Sequence, residues 1–95
     1  MSNVILATGF EPSSVYKNEA SGMIQAVWRF PNGYGASVIS GPYSYGVELA
    51  VVKFDNDYED FDFELVYNTP VADNVIGHIG SGDELRVLLT QIQSL

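Results

Sequence analysis

The chain has no cysteine. That excludes a disulfide, a thiolate nucleophile and a cysteine-bound metal, and it fits a reducing compartment. Cations are scarce: four Lys and Arg stand against twelve Asp and Glu, for a net charge of −8. Direct binding to nucleic acid or to an anionic membrane needs cations to meet phosphate, so neither is an expected partner. A partner with a basic groove, or solubility alone, is what this balance favours. His78 is the only histidine. With no second His and no Cys, a metal site would have to be built entirely from carboxylates. No metal, cofactor or catalytic residue is expected, and His78 reads as a structural or surface residue. The opening MSNVILATGF has a short apolar run and no basic leader, so neither a secretion signal nor a membrane span is expected. A cytosolic protein is the default reading.

What the chain does have is apolar and aromatic residues in ordered patterns. Ninety-five residues suit one domain. Hydrophobic content of 46%, with five Phe, six Tyr and one Trp, is enough for a small core. A domain of this size buries only about 60–65% of its unfolded surface, so modest stability is expected.

The stretch VELAVVKFDNDYEDFDFELVY, residues 47–67, reads as two strands joined by an acidic turn. The strands are expected at residues 47–54 and 61–67. Asp55, Asp57, Glu59, Asp60, Asp62 and Glu64 make up half of the twelve acids. With Phe54 opposite Phe61, Val52 faces Phe63, Ala50 faces Leu65 and Glu48 faces Tyr67. Alternation then gathers Phe54, Val52, Ala50, Phe61, Phe63, Leu65 and Tyr67 on one face. Lys53 meets Asp62 and Val51 meets Glu64 on the other. A one-residue slip would turn three aromatics to water, which argues for a well-specified register.

Residues 23–30 form a clear strand, with Ile24, Ala26, Trp28 and Phe30 on one face and Gln25 and Arg29 on the other. Pro31-Asn32-Gly33 has the chemistry of a three-residue hairpin turn, with Gly33 in the left-handed position. The returning strand, residues 34–40, sets Trp28 against Ala36 and Ala26 against Val38. Gly35 and Ser37 fall on the second face, where something bulky can pack. Residues 41–46 read as a loop holding Tyr43 and Tyr45. Those two and Tyr34 and Trp28 are candidates for an aromatic patch, but the simpler reading is a core tryptophan with loop tyrosines packed on the sheet edge.

The ends of the chain read differently. Residues 4–7 suit a short edge strand and residues 10–22 a loop or mobile arm, so residues 1–21 are expected as an N-terminal arm or extension. Thr69-Pro70 looks like a helix cap followed by proline, with a turn or two of helix expected over residues 71–79. Ser81-Gly82-Asp83-Glu84 is a capping box. Leu85, Leu88, Leu89, Ile92 and Leu95 recur at helical spacing. Placing this stripe on the aromatic sheet face gives residues 22–95 a single α+β domain: an antiparallel meander of about four strands packed on a C-terminal helix.

The segments FPNGYGASVI (residues 30–39), Ser44-Tyr45-Gly46, ELAV (residues 48–51) and YNTPVADNVIG (residues 67–77) together resemble a family of small bacteriophage and prophage proteins. The resemblance runs from about Ala26 to the end. It implies a phage origin and a place in the host cytoplasm, and it carries over no catalytic residues. Against the family pattern, the first twenty residues look like an extension, Gly46 runs straight into the next strand, and the turn at residues 55–60 is longer and more acidic.

The acidic turn allows three readings. It can be a solvated, aggregation-resistant edge. It can be a carboxylate surface that imitates nucleic-acid phosphate for an Arg/Lys-rich groove. As a calcium loop it starts well at Asp55, Asp57 and Glu59, but Asp60 stands where glycine belongs and Val66 where the closing Glu belongs. No G-x-S-x-G nucleophile motif exists, and Gly33-Tyr34-Gly35 leads into a strand and so is not a phosphate loop. The expectation is a non-enzymatic, anti-CRISPR-like interaction protein whose partner-binding residues are the six acids of residues 55–64. The alternative is a structural or assembly protein forming a homodimer or larger homo-oligomer through a sheet edge or the final helix.

Overall fold

The structure, a computed structural model, describes residues 8–41, 47–54, 63–71 and 75–95. Within them the chain forms β1 (Ser14–Asn18), β2 (Met23–Arg29), β3 (Tyr34–Ser40), β4 (Val47–Phe54), β5 (Phe63–Leu65), β6 (Ile76–Ile79) and the helix α1 (Gly82–Gln93). This is an α+β fold. Among the described residues the sheet has six strands, not the expected four, and every pairing is antiparallel.

The strand order is β1-β2-β3-β4-β5, with β6 also on β4. The outer edge of β4 is therefore shared. Val52, Lys53 and Phe54 pair with β5, whereas Val47 and Leu49 pair with Ile79 and Ile76 across an irregularity in register. The β2–β3 hairpin has the register its turn chemistry dictates: Trp28 lies opposite Ala36 and Ala26 opposite Val38. Phe30 donates its N–H to the Tyr34 carbonyl at 2.9 Å, and Gly33 sits at φ +87°.

One sheet face packs under the helix. Ala26, Trp28, Ala36, Val38, Val47, Leu49 and Val51 meet Leu85, Leu89 and Ile92, all buried. Each large side chain taken fully out of water contributes about 1.5–3 kcal/mol. Leu88 and Leu95 pack half-buried at the margin. The helix begins with one half of its capping box, Ser81 Oγ accepting from the Glu84 N–H at 3.2 Å; Glu84 Oε2 reaches back one residue further, accepting from the Gly80 N–H at 3.2 Å.

Four expectations need correction. The helix stripe does not lie on the Ala50–Val52–Phe54 face; it lies on the opposite one, with Val51. The cause is that β4 is apolar on both sides. Ala50 and Val52 are as buried as Leu49 and Val51, so alternation within β4 could not choose between faces. Second, Phe54 pairs with Phe63, not Phe61, a shift of two residues that keeps the same faces but lengthens the connection. Third, residues 10–22 are not a loop. They hold β1, and Phe10 is tied down, its carbonyl accepting from Trp28 Nε1 at 3.3 Å and its ring meeting Phe30 edge-on at 6.2 Å. Fourth, the turns of helix expected over residues 71–79 are replaced at Ile76–Ile79 by β6. His78 there adopts φ 57°, which breaks a helix, and its neighbours Ile76 and Ile79 dock on β4. The edge strand expected at residues 4–7 and most of the loop at residues 41–46 lie outside the described residues.

Candidate functional site

The candidate site is the end of the sheet where β4 gives way to the β5 connection. Phe54 and Phe63 are direct cross-strand partners, and their rings meet edge to face at 5.7 Å and 74°. Such a pair adds about 0.5–1.5 kcal/mol beyond its buried area. The Phe54 N–H donates to the Gly33 carbonyl at 3.0 Å. The Arg29 guanidinium stands 4.1 Å from the centroid of the Phe54 ring, a cation–π contact of about 0.5–2 kcal/mol. Both roots of the connection are thus fixed on the sheet.

Asp55, Asp57, Glu59, Asp60 and Asp62 belong to that connection and lie outside the described residues. Glu64 is the one expected site residue that is described. It is exposed on β5 and stands opposite Lys53. The expected pairings of Lys53 with Asp62 and Val51 with Glu64 are both corrected by the two-residue shift. The Lys53 ammonium lies 5.9 Å from the Tyr34 ring centroid. Two of the chain's four cations, Arg29 and Lys53, therefore sit at the base of its most acidic segment.

The same end of the sheet receives the C-terminal end of α1. Asn32, in the β2–β3 turn, donates from Nδ2 to the carbonyls of Ile92, Gln93 and Leu95 at 3.0, 3.1 and 3.2 Å. Its Oδ1 accepts from the Tyr34 N–H at 3.0 Å. One turn thus holds Phe54 through Gly33 and the helix end through Asn32. The C-terminus of a helix carries roughly half a negative charge, and α1 has no basic residue in its last turn. The helix dipole therefore adds a negative field at the sheet end where the connection is rooted. At the same end of the sheet, Arg29, Phe30, Pro31, Gly33 and Phe54 line an open depression of about 310 Å³.

His78 is exposed on β6. Among the described residues no group of three or more His, Cys, Asp or Glu is placed to hold a metal, and no helix is long and apolar enough to cross a membrane. Tyr34 packs half-buried against the core and Trp28 is fully buried; Tyr43 and Tyr45 lie outside the described residues.

Sequence reading missed three participants. The sequence places Arg29 with Gln25 on the second strand face and Lys53 across from Asp62; their aromatic partners, Phe54 and Tyr34, are assigned only once β2, β3 and β4 are aligned. Asn32 read as a turn residue alone. Its second role depends on a helix end about sixty positions away in sequence, for which no local signal exists.

Fold and site together define an α+β protein whose acidic β4–β5 connection springs from a braced sheet end. No family model, curated protein or solved structure matches the chain.

Proposed function

We propose that this is a phage-encoded, non-enzymatic interaction protein. It docks the carboxylates of the β4–β5 connection on the basic groove of a host nucleic-acid-handling defence complex of the CRISPR-effector kind, in place of nucleic-acid phosphate. The observation that carries the reading is the bracing of both roots of an acid-rich segment on the sheet, at Phe54 and Phe63. A tethered segment gives up less chain entropy on docking than a free tail. The sequence carries six carboxylates at residues 55–64; two cations, Arg29 and Lys53, stand by the Phe54 root, and the helix C-terminus adds a negative field at that end of the sheet. The resemblance of residues 26–95 to small phage proteins supports the source.

The test replaces Asp57, Glu59, Asp60, Asp62 and Glu64 with Asn or Gln and measures affinity for a purified effector complex. Loss of binding with the fold intact supports the reading. Unchanged affinity removes it.

A second reading has its own observation. Val15 and Tyr16 are 44% and 56% exposed on β1, at one end of the strand order. A homodimer pairing β1 edges would cover them. The helix is not available for this, because Leu85, Leu89 and Ile92 are buried within one chain. A dimer that survives high salt and is abolished by Tyr16→Pro favours this reading; a monomer at all concentrations removes it.

A further inference from the structure

Of the six asparagines, only Asn32 is followed by glycine. That dipeptide has a known chemical weakness. Glycine leaves its peptide nitrogen unhindered, so this nitrogen can attack the asparagine side-chain carbonyl carbon. In this fold every polar atom involved is already occupied. Asn32 Nδ2 donates to the three carbonyls at the end of α1, Oδ1 accepts from the Tyr34 N–H, and the Gly33 N–H donates to the Phe30 carbonyl at 3.1 Å.

We propose that Asn32–Gly33 is a self-modification site, a deamidation switch gated by the helix it caps. The reaction forms a bond between the Gly33 nitrogen and Asn32 Cγ and breaks the Cγ–Nδ2 bond. The Gly33 proton and the amide leave together as ammonia. Water then opens the cyclic imide at either carbonyl, giving aspartate or isoaspartate. No oxidant, metal or enzyme takes part. The gate is structural: the Gly33 nitrogen must leave Phe30, and Nδ2 must leave the helix, before attack can occur.

The product cannot restore the clamp. A carboxylate has no N–H to donate, and it would face the three carbonyl oxygens of Ile92, Gln93 and Leu95 at the negative pole of the helix. Of those carbonyls, that of Ile92 keeps one backbone donor, the Leu95 N–H at 3.1 Å; a helix end otherwise leaves its last carbonyls without intrahelical donors. The end of α1 is then left with its own bonds alone, from the Ser94 N–H to the Gln91 carbonyl at 3.2 Å and from the Leu95 N–H to the Ile92 carbonyl at 3.1 Å, so it frays more readily, and this end of the sheet gains one negative charge. The change is irreversible and works as a clock on the folded state. It stands whether or not the acidic connection docks on a partner.

The test ages the full chain at mildly alkaline pH with and without a urea concentration that opens the helix. Peptide mass spectrometry follows conversion at Asn32, with Asn68, which precedes Thr69, as the internal control. The folded chain should convert at least about tenfold more slowly than the opened one, the factor that about 1.4 kcal/mol of clamp stability produces. Amide hydrogen exchange on the aged protein should show lost protection at Ser94 and Leu95, with Leu85 and Leu89 still protected. The variant N32D, where it folds, should show the same pattern at once. Equal rates in folded and opened chains, or an aged chain whose last turn keeps full protection, would overturn the proposal.

Discussion

The edge of the Phe54 ring rests on Gly35: a β-carbon at position 35 would stand 2.7 Å from Phe54 Cε2 and would also run into the Trp28 carbonyl. The absence of a side chain at Gly35 is what lets β4 carry a large aromatic at the root of the acidic connection. Arg29 then covers that ring, and Phe63 meets its edge. The bracing of the candidate site therefore starts from a buried glycine at the second position of β3.

Gly35→Ala should cost about 3 kcal/mol, at the upper end of what an inserted methyl in a packed site does. Gly80→Ala is the control, since nothing lies within 4 Å of its β-carbon position. It should be neutral or stabilise by about 0.5 kcal/mol through the unfolded state. Urea unfolding of both variants reads the difference. Equal midpoints would show that Phe54 does not depend on the gap at Gly35.

The helix start gives a second pair. Ser81→Ala removes the acceptor for the Glu84 N–H and should cost about 1 kcal/mol. Arg86→Ala removes an ion pair to Asp83 whose side chains are 55% and 84% exposed. Such pairs contribute little, so the change should stay within about 0.5 kcal/mol. Thermal unfolding should separate the two, at about 4–8 °C per kcal/mol for a chain of this size.

His78 is the only non-glycine residue among those described with a left-handed backbone. His78→Val puts a β-branched side chain at φ 57° and should cost about 1–2 kcal/mol. His78→Asn should be tolerated, because asparagine enters this region readily. If valine were accepted as well as asparagine, as read by denaturant midpoints, the backbone at β6 would not be as strained as its dihedral implies.

Much of this architecture was legible because two devices are local. Pro31-Asn32-Gly33 set the β2–β3 register, and Ser81 with Glu84 set the helix start, each from side chains within a few residues. The rest depends on partners far apart in sequence. β1 is polar at Ser14, Lys17 and Asn18 and gains order from pairing with β2, not from its own pattern. β6 follows Thr69-Pro70, which mimics a helix cap, and contains Gly77, which weakens a strand signal. β4 hides its orientation because both of its faces are apolar. The β4–β5 register differs from the expected one by two residues because the acidic connection has turn-forming Asp55, Asn56 and Asp57 but no glycine or proline to pin one turn and one length. Of the candidate site, the acids were visible in composition. The pieces that brace them, Gly35, Arg29 and the Asn32 clamp, required the aligned sheet.

If the β4–β5 carboxylates substitute for nucleic-acid phosphate on a basic groove, as proposed, the two must compete for it. The most direct measurement is competition: a labelled nucleic acid is bound to the purified effector complex, and this chain is titrated in at increasing salt. Such docking requires displacement by the native chain that weakens steadily as salt screens the charges, and no displacement by the variant with Asn or Gln at positions 57, 59, 60, 62 and 64. Displacement that is equally strong with that variant, or that does not change with salt, would contradict it.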